Sequence, residues 1–140
     1  MARDYLHNGP HRLALEMKKA AQELSKPNID YIRAYSAKLG LLDRKPQTIA
    51  RAVRELRYIF RFLSKDMKKA TKENIENLIL QVNKSKKAAA SKRKIKQTLR
   101  SFYKWLLGSD DYPPIVKWVK VDKVESIKLP EELLTEEDVA

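Results

Sequence analysis

Residues 84–106 read KSKKAAASKRKIKQTLRSFYKWL. Nine Lys or Arg residues and no acid fall between Lys84 and Lys104. Yet Ile95, Leu99, Phe102 and Leu106 recur at i, i+4, i+7 and i+11, the period of one helix face. The stretch therefore predicts a folded helix whose apolar stripe is buried on a partner while Lys92, Arg93, Lys96, Arg100 and Lys104 point elsewhere. A run of like charge is often no more than a solvated face or a disordered tail. Here a second stretch repeats the pattern.

From Gln47 to Lys65, Ile49, Val53, Leu56, Phe60 and Leu63 fold onto one side of a helical wheel. Gln47, Arg51, Arg54, Arg57, Tyr58, Arg61 and Lys65 occupy the opposite arc, and the one acid, Glu55, lies just outside it. Arginine dominates this flank, and its planar fork suits bidentate contacts to phosphate or guanine. Two amphipathic helices with basic flanks make nucleic acid the leading partner, with a merely soluble basic surface as the other reading.

Composition bounds the alternatives. The 140 residues suffice for one domain of about 100 residues with appendages. A net charge of +12 favours a phosphate polymer or an anionic membrane surface. No apolar run approaches the ~18 residues a bilayer span needs. Met1 to Tyr5 lack the order of a secretion signal, so a cytoplasmic protein is expected, nucleoid-associated when bound to DNA. The absence of cysteine excludes disulfides and thiolate metal sites. His7 and His11 are spaced i, i+4, but Gly9 and Pro10 between them argue against the helix that would align them on a metal. No Gly-rich phosphate loop, serine-nucleophile motif or HExxH occurs, and the Glu131–Glu132 and Asp110–Asp111 pairs sit in linker or cap positions unsuited to acid–base work. Neither cofactor nor metal nor small-molecule substrate is expected, and no enzymatic activity of this chain by itself.

The remaining elements follow from periodicity and punctuation, and they predict an all-α fold. Leu13, Met17, Ala20, Ala21 and Leu24 mark a helix over residues 11–25, and Ile29, Ile32, Tyr35, Ser36 and Leu39 a second that restarts after Pro27 and ends at a Gly40 cap. Thr48 or Gln47 is expected to cap the Arg-rich helix after Pro46. Ser64 to Lys69 reads as a polar break, and Thr71 caps a short helix carrying Ile75, Leu78, Ile79 and Val82. The Lys-rich helix should begin near Ala88 and stop before Gly108. Tyr112, Pro113 and Pro114 start an extended linker, with Ile115 to Val124 open as a strand or a tether anchored by Trp118. Asp122 to Asp138 hold seven acids against Lys123 and Lys128, and Thr135 caps a last helix from Leu134 to Ala140.

Three stretches carry a family resemblance. Lys45-Pro-Gln-Thr48-Ile-Ala-Arg51-Ala-Val-Arg54-Glu-Leu-Arg-Tyr-Ile-Phe60-Arg-Phe-Leu63 is the first; Ala70-Thr71-Lys-Glu-Asn-Ile75-Glu followed by Ser91-Lys-Arg-Lys-Ile95-Lys-Gln-Thr-Leu99-Arg-Ser-Phe102-Tyr103-Lys-Trp105-Leu106 is the second; Leu129-Pro130-Glu-Glu-Leu-Leu134-Thr135-Glu136-Glu137-Asp138-Val139 is the third. In order and spacing, over about residues 28 to 140, the chain resembles the N-terminal region of tyrosine recombinases, the phage-integrase and Xer-like family. The resemblance implies a SAM-like bundle of four core helices over residues 28–108 that packs on one face of duplex DNA. An extra N-terminal helix would precede it within residues 1–27, and residues 109–140 would be the interdomain linker and the start of a catalytic domain. That domain, with the family's Arg, Lys, His and nucleophilic Tyr positions, would lie beyond Ala140, so no catalytic residue maps onto this chain. The parent would recombine or integrate DNA together with other protomers of its kind. The N-terminal helix departs from the simplest family pattern.

The candidate DNA-binding residues are Lys45, Gln47, Thr48, Arg51, Arg54 and Arg61 on the Arg-rich helix, and Lys87, Ser91, Lys92, Arg93, Lys96 and Arg100 on the Lys-rich one. Lys and Arg neutralise phosphates, short hydroxyls admit the backbone closely, and a helix N-terminus offers unsatisfied amides. Tyr58 and Tyr103 are either DNA-stacking or core, with core favoured for Tyr103; Trp105 and Trp118 read as packing residues. Three other functions remain open: a stand-alone basic helical protein that binds or bridges DNA, an RNA-binding protein, and an interfacial membrane helix. The regular stripes on four helices argue for mutual burial and against the last.

Overall fold

Pro10, Pro27, Pro46 and Pro114 each stand within the first two residues of a helix, where the missing N–H has no intrahelical acceptor to lose. The computed structural model describes residues 9–121. Its elements are α1 (Gly9–Glu23), α2 (Lys26–Leu41), α3 (Pro46–Phe60), a 3-10 turn (Met67–Lys69), α4 (Lys72–Lys84), α5 (Ala89–Leu106) and α6 (Pro114–Lys117). The fold is all-α, a helical bundle, with no strand among the described residues. The acid-rich run from Asp122 and the helix expected over Leu134–Ala140 lie outside those residues, as do His7 and the first residues of the chain.

The apolar stripes are buried as their spacing requires. Ile29, Ile32 and Tyr35 of α2, Ile49, Val53, Leu56 and Phe60 of α3, Ile75, Leu78, Ile79 and Val82 of α4, and Ile95, Leu99 and Phe102 of α5 form one core. Its centre is aromatic. Phe102 meets Tyr35 edge-on at 5.2 Å and Phe60 at 5.7 Å, and Phe60 lies 6.0 Å from Tyr103, so α2, α3 and α5 interlock around one ring. α3 is the hub, touching α1, α2, α4 and α5. α1 lies chiefly along α3, and Gly9 permits the close approach of their first turns: a Cβ there would sit 2.9 Å from that of Pro46.

Several boundaries differ from the sequence expectation. α1 begins at Gly9 rather than residue 11. Gly40 stays inside α2, and the left-handed position after that helix falls on Asp43 (φ 61°), whose amide donates to the Gly40 carbonyl. Neither Thr48 nor Gln47 caps α3: the N-cap is Lys45, without a side-chain hydrogen bond, and Pro46 is the first helical residue. α3 stops at Phe60, short of Lys65, because the chain tightens into i→i+3 bonds at Phe62 and Leu63 and is then held by Asn28. The buried Asn28 amide donates to the Lys65 carbonyl at 3.0 Å while its carbonyl accepts from the Met67 amide at 2.8 Å. The supposed polar break thus plants Met67 in the core, where its carbonyl also receives the Tyr103 hydroxyl.

Two caps match the sequence closely. Thr71 and Asn74 exchange both bonds of a capping box at the start of α4. After α5, Gly108 (φ +65°) is the C′ residue: its amide donates to the Trp105 carbonyl, and the Ser109 amide to that of Lys104. The segment that follows is not the extended linker or strand considered for Ile115 to Val124. As far as Val121 it runs through α6, a helical turn that buries Val116 and Val119 in the core. Trp118 is anchored, its indole N–H donating to the Ile115 carbonyl at 2.8 Å.

Candidate nucleic-acid interface

α3 and α5 are neighbours in the bundle, Phe60 meeting Phe102 at 5.7 Å while Val53, Leu56, Ile95 and Leu99 share the same core. Burying those faces turns the polar flanks of both helices toward a shared groove of about 410 Å³. Arg51, Arg54 and Arg57 line it from α3, Arg61 from just past the end of that helix, and Lys87, Ser91 and Lys94 from the start of α5. Its single acid, Glu55, is 8% exposed and accepts a 2.7 Å bond from the Thr98 hydroxyl. The groove is therefore strongly cationic. Tyr58 sits within it under two cations, with the Arg61 guanidinium 4.8 Å and the Lys87 ammonium 4.5 Å from the ring centroid. Both distances permit cation–π attraction, which holds two like charges at one place.

α5 starts at an Ala88 N-cap that contributes no side-chain hydrogen bond, so its first amides stand near Lys87 and Ser91 without an internal acceptor. On the other side of α3, Gln47 and Thr48 share a shallower cleft with Arg12 and Glu16 of α1, and Arg51 and Arg54 reach into both depressions. Lys45 is exposed at the head of α3.

The other predicted residues do not join this groove. Lys92, Arg93 and Lys96 line a separate depression toward α4 and α6, and Lys92 also donates to the Asn83 carbonyl at the end of α4. The guanidinium of Arg100 stacks on Tyr112 at 4.0 Å, and its Nε is buried without a hydrogen-bond acceptor. The candidate residues of the two basic helices thus do not share one surface: some line a groove built by α3 with the head of α5, and others lie on the far flank of α5. Both flanks are basic because Lys92, Arg93, Lys94 and Lys96 are nearly consecutive and, at about 100° per residue, point to more than one side of α5.

Arg57, which the helical wheel assigned to the basic arc, has a structural task. It pairs with Glu16 at 3.0 Å and Glu23 at 3.1 Å, tying α1 to α3. Sequence reasoning missed Lys94 and Arg12. Lys94 was legible, since it lies one helical turn beyond Ser91 on the same side; Arg12 was not, because only the docking of α1 brings it to α3. Tyr103, favoured as core, is fully buried, and Trp105 and Trp118 pack against the core as expected. Among the described residues no cluster of three His, Cys, Asp or Glu is placed to hold a metal, and no helix is long and apolar enough to cross a membrane. The chain matches no protein-family model, no curated protein and no solved structure.

Proposed function

We propose that the chain is a DNA-binding module that grips duplex DNA along the groove between α3 and the head of α5, and that it serves as the core-binding domain of a site-specific tyrosine recombinase. One observation carries the reading: Arg51, Arg54, Arg61, Lys87, Ser91 and Lys94 converge from two helices while the one local carboxylate is held by Thr98. Phosphates meeting such a surface release counterions, and arginine forks with free helix-terminal amides fix the register. The chain by itself binds; strand cutting and exchange belong to a further domain and to partner protomers.

Fluorescence anisotropy of a labelled random duplex, followed as salt is raised, tests the reading. With five or six phosphates neutralised, log K falls against log salt with a slope of about −5. The double variant Arg51→Ala/Arg54→Ala lowers the magnitude of that slope by about 2. Binding indifferent to salt sinks the proposal, and a double variant that binds as tightly as the native chain moves the site off α3.

A further inference from the structure

The depression on the far flank of α5, about 520 Å³ in volume, has a chemistry unlike that of the first groove. Lys92, Arg93 and Lys96 of α5 line it together with Lys120, and among the described residues no carboxylate lines it. Trp118, which is partly exposed, and Val121 line it as well. The other large apolar residues there, Ile79 and Val119, are 8% and 3% exposed and offer little surface. The contact available is therefore one flat aromatic face with flexible cations around it. Trp118 is held by its bond to the Ile115 carbonyl, and the Lys72 ammonium, outside the depression's lining, lies 5.9 Å from its ring centroid.

An occupant must bring negative charge at more than one point together with a flat apolar face. A duplex hides its base faces in the stack. An amphipathic acidic helix needs three or four apolar anchors spaced along a groove, which this depression lacks. A single strand supplies both features, a phosphate at each nucleotide and an exposed base for a fixed ring to stack upon. We infer that the Trp118 depression is a binding site for unpaired nucleic acid, separate from the duplex groove and engaging strand phosphates through Lys92, Lys96 and Lys120. The prefixed ring limits the ordering cost of stacking, and Lys96 and Lys120, from two separate segments of the chain, both line the depression that takes the strand.

The chain's two tryptophans make the site directly readable. In a Trp105→Phe variant the fluorescence comes from Trp118 alone. Titration with a twelve-residue oligothymidylate should quench it to saturation, with a salt slope of about −2 for three neutralised phosphates. Lys96→Glu/Lys120→Glu should weaken the oligothymidylate at least tenfold. Arg51→Ala/Arg54→Ala should leave that quenching intact while reducing duplex affinity, so failure of this site and failure of the duplex reading are separable. If Trp105→Phe misfolds, the difference between the native chain and Trp118→Phe provides the same signal. No Trp118 response to oligothymidylate overturns the inference, as does quenching unaffected by the two charge reversals. Equal quenching by an acidic peptide of matched charge also overturns it.

Discussion

The Thr98 hydroxyl donates to Glu55 Oε1 at 2.7 Å across the seam between α5 and α3. The bond does two things at once. It fastens the two basic helices to each other beside the groove, and it occupies the only carboxylate among the described residues that lines it. Replacing Thr98 with Val keeps the shape but leaves a nearly buried carboxylate oxygen without its donor, at a cost of about 1–3 kcal/mol in urea unfolding. Glu55→Gln removes a negative charge from the groove. Duplex affinity should then rise by roughly 2–5-fold near 50 mM salt, with the gain fading toward 300 mM as screening shortens the reach of the charge. An affinity unchanged at low salt would place the bound phosphates away from Glu55.

Arg54 and Arg57 are neighbours on the same helix and both line the groove, but Arg57 is engaged in ion pairs with α1. Arg54 is exposed in the groove, whereas the Arg57 side chain is 17% exposed and bridges Glu16 and Glu23 of α1. Arg57→Ala strands the 15%-exposed Glu16 and should destabilise the fold by about 2 kcal/mol. Hydrogen exchange over residues 9–23 should rise as α1 loosens from α3. Arg54→Ala should leave thermal stability within about 0.5 kcal/mol and weaken duplex binding instead. Reversed phenotypes would refute the division of labour.

Asn28 is a clip between α2 and the turn that ends the α3 segment. Its side chain satisfies the Lys65 carbonyl and the Met67 amide, two backbone groups with no helical partner. Asn28→Ala leaves both unmet and should cost about 2–4 kcal/mol. Asn28→Asp retains the acceptor for the Met67 amide but loses the donor, so its stability in urea unfolding should fall between the two.

Alkaline stability depends on buried phenols. Burial holds the Tyr103 hydroxyl well above its ordinary range, and Tyr35 is raised for the same reason. Near pH 10 these phenols ionise in the unfolded chain but stay protonated in the folded one, so the unfolded state binds fewer protons and stability falls as pH rises. Urea unfolding at pH 8, 9, 10 and 11 should show the decline beginning near pH 10. Tyr103→Phe should be less stable at pH 8, having lost its bond to the Met67 carbonyl, and should decline less steeply above pH 10. An equally steep decline in that variant would discharge Tyr103 from the effect.

Much of the candidate site was legible because it rests on local geometry. Once Ile49, Val53, Leu56 and Phe60 are assigned to the core, helical spacing alone turns Arg51, Arg54 and Arg61 outward, and the structure places all three in one groove. The pairing of Arg57 was not legible, since its partners lie 41 and 34 residues away and no local periodicity encodes them. That Lys92, Arg93 and Lys96 would not share a surface with Arg51 was not legible for a related reason. A helix with cations around most of its circumference does not reveal from sequence which flank will meet which neighbour.

The sequence by itself determined the all-α character, the order of the helices, the four apolar stripes and the capping box at Thr71, because each follows from period, propensity and side-chain bonds within a turn or two of chain. Only the tertiary structure decided that α1 lies along α3, that Met67, Val116 and Val119 leave apparent loops for the core, and that α5 divides its cations between two depressions. Those outcomes depend on which stripe is buried against which, a choice made by the packing of residues distant in the chain.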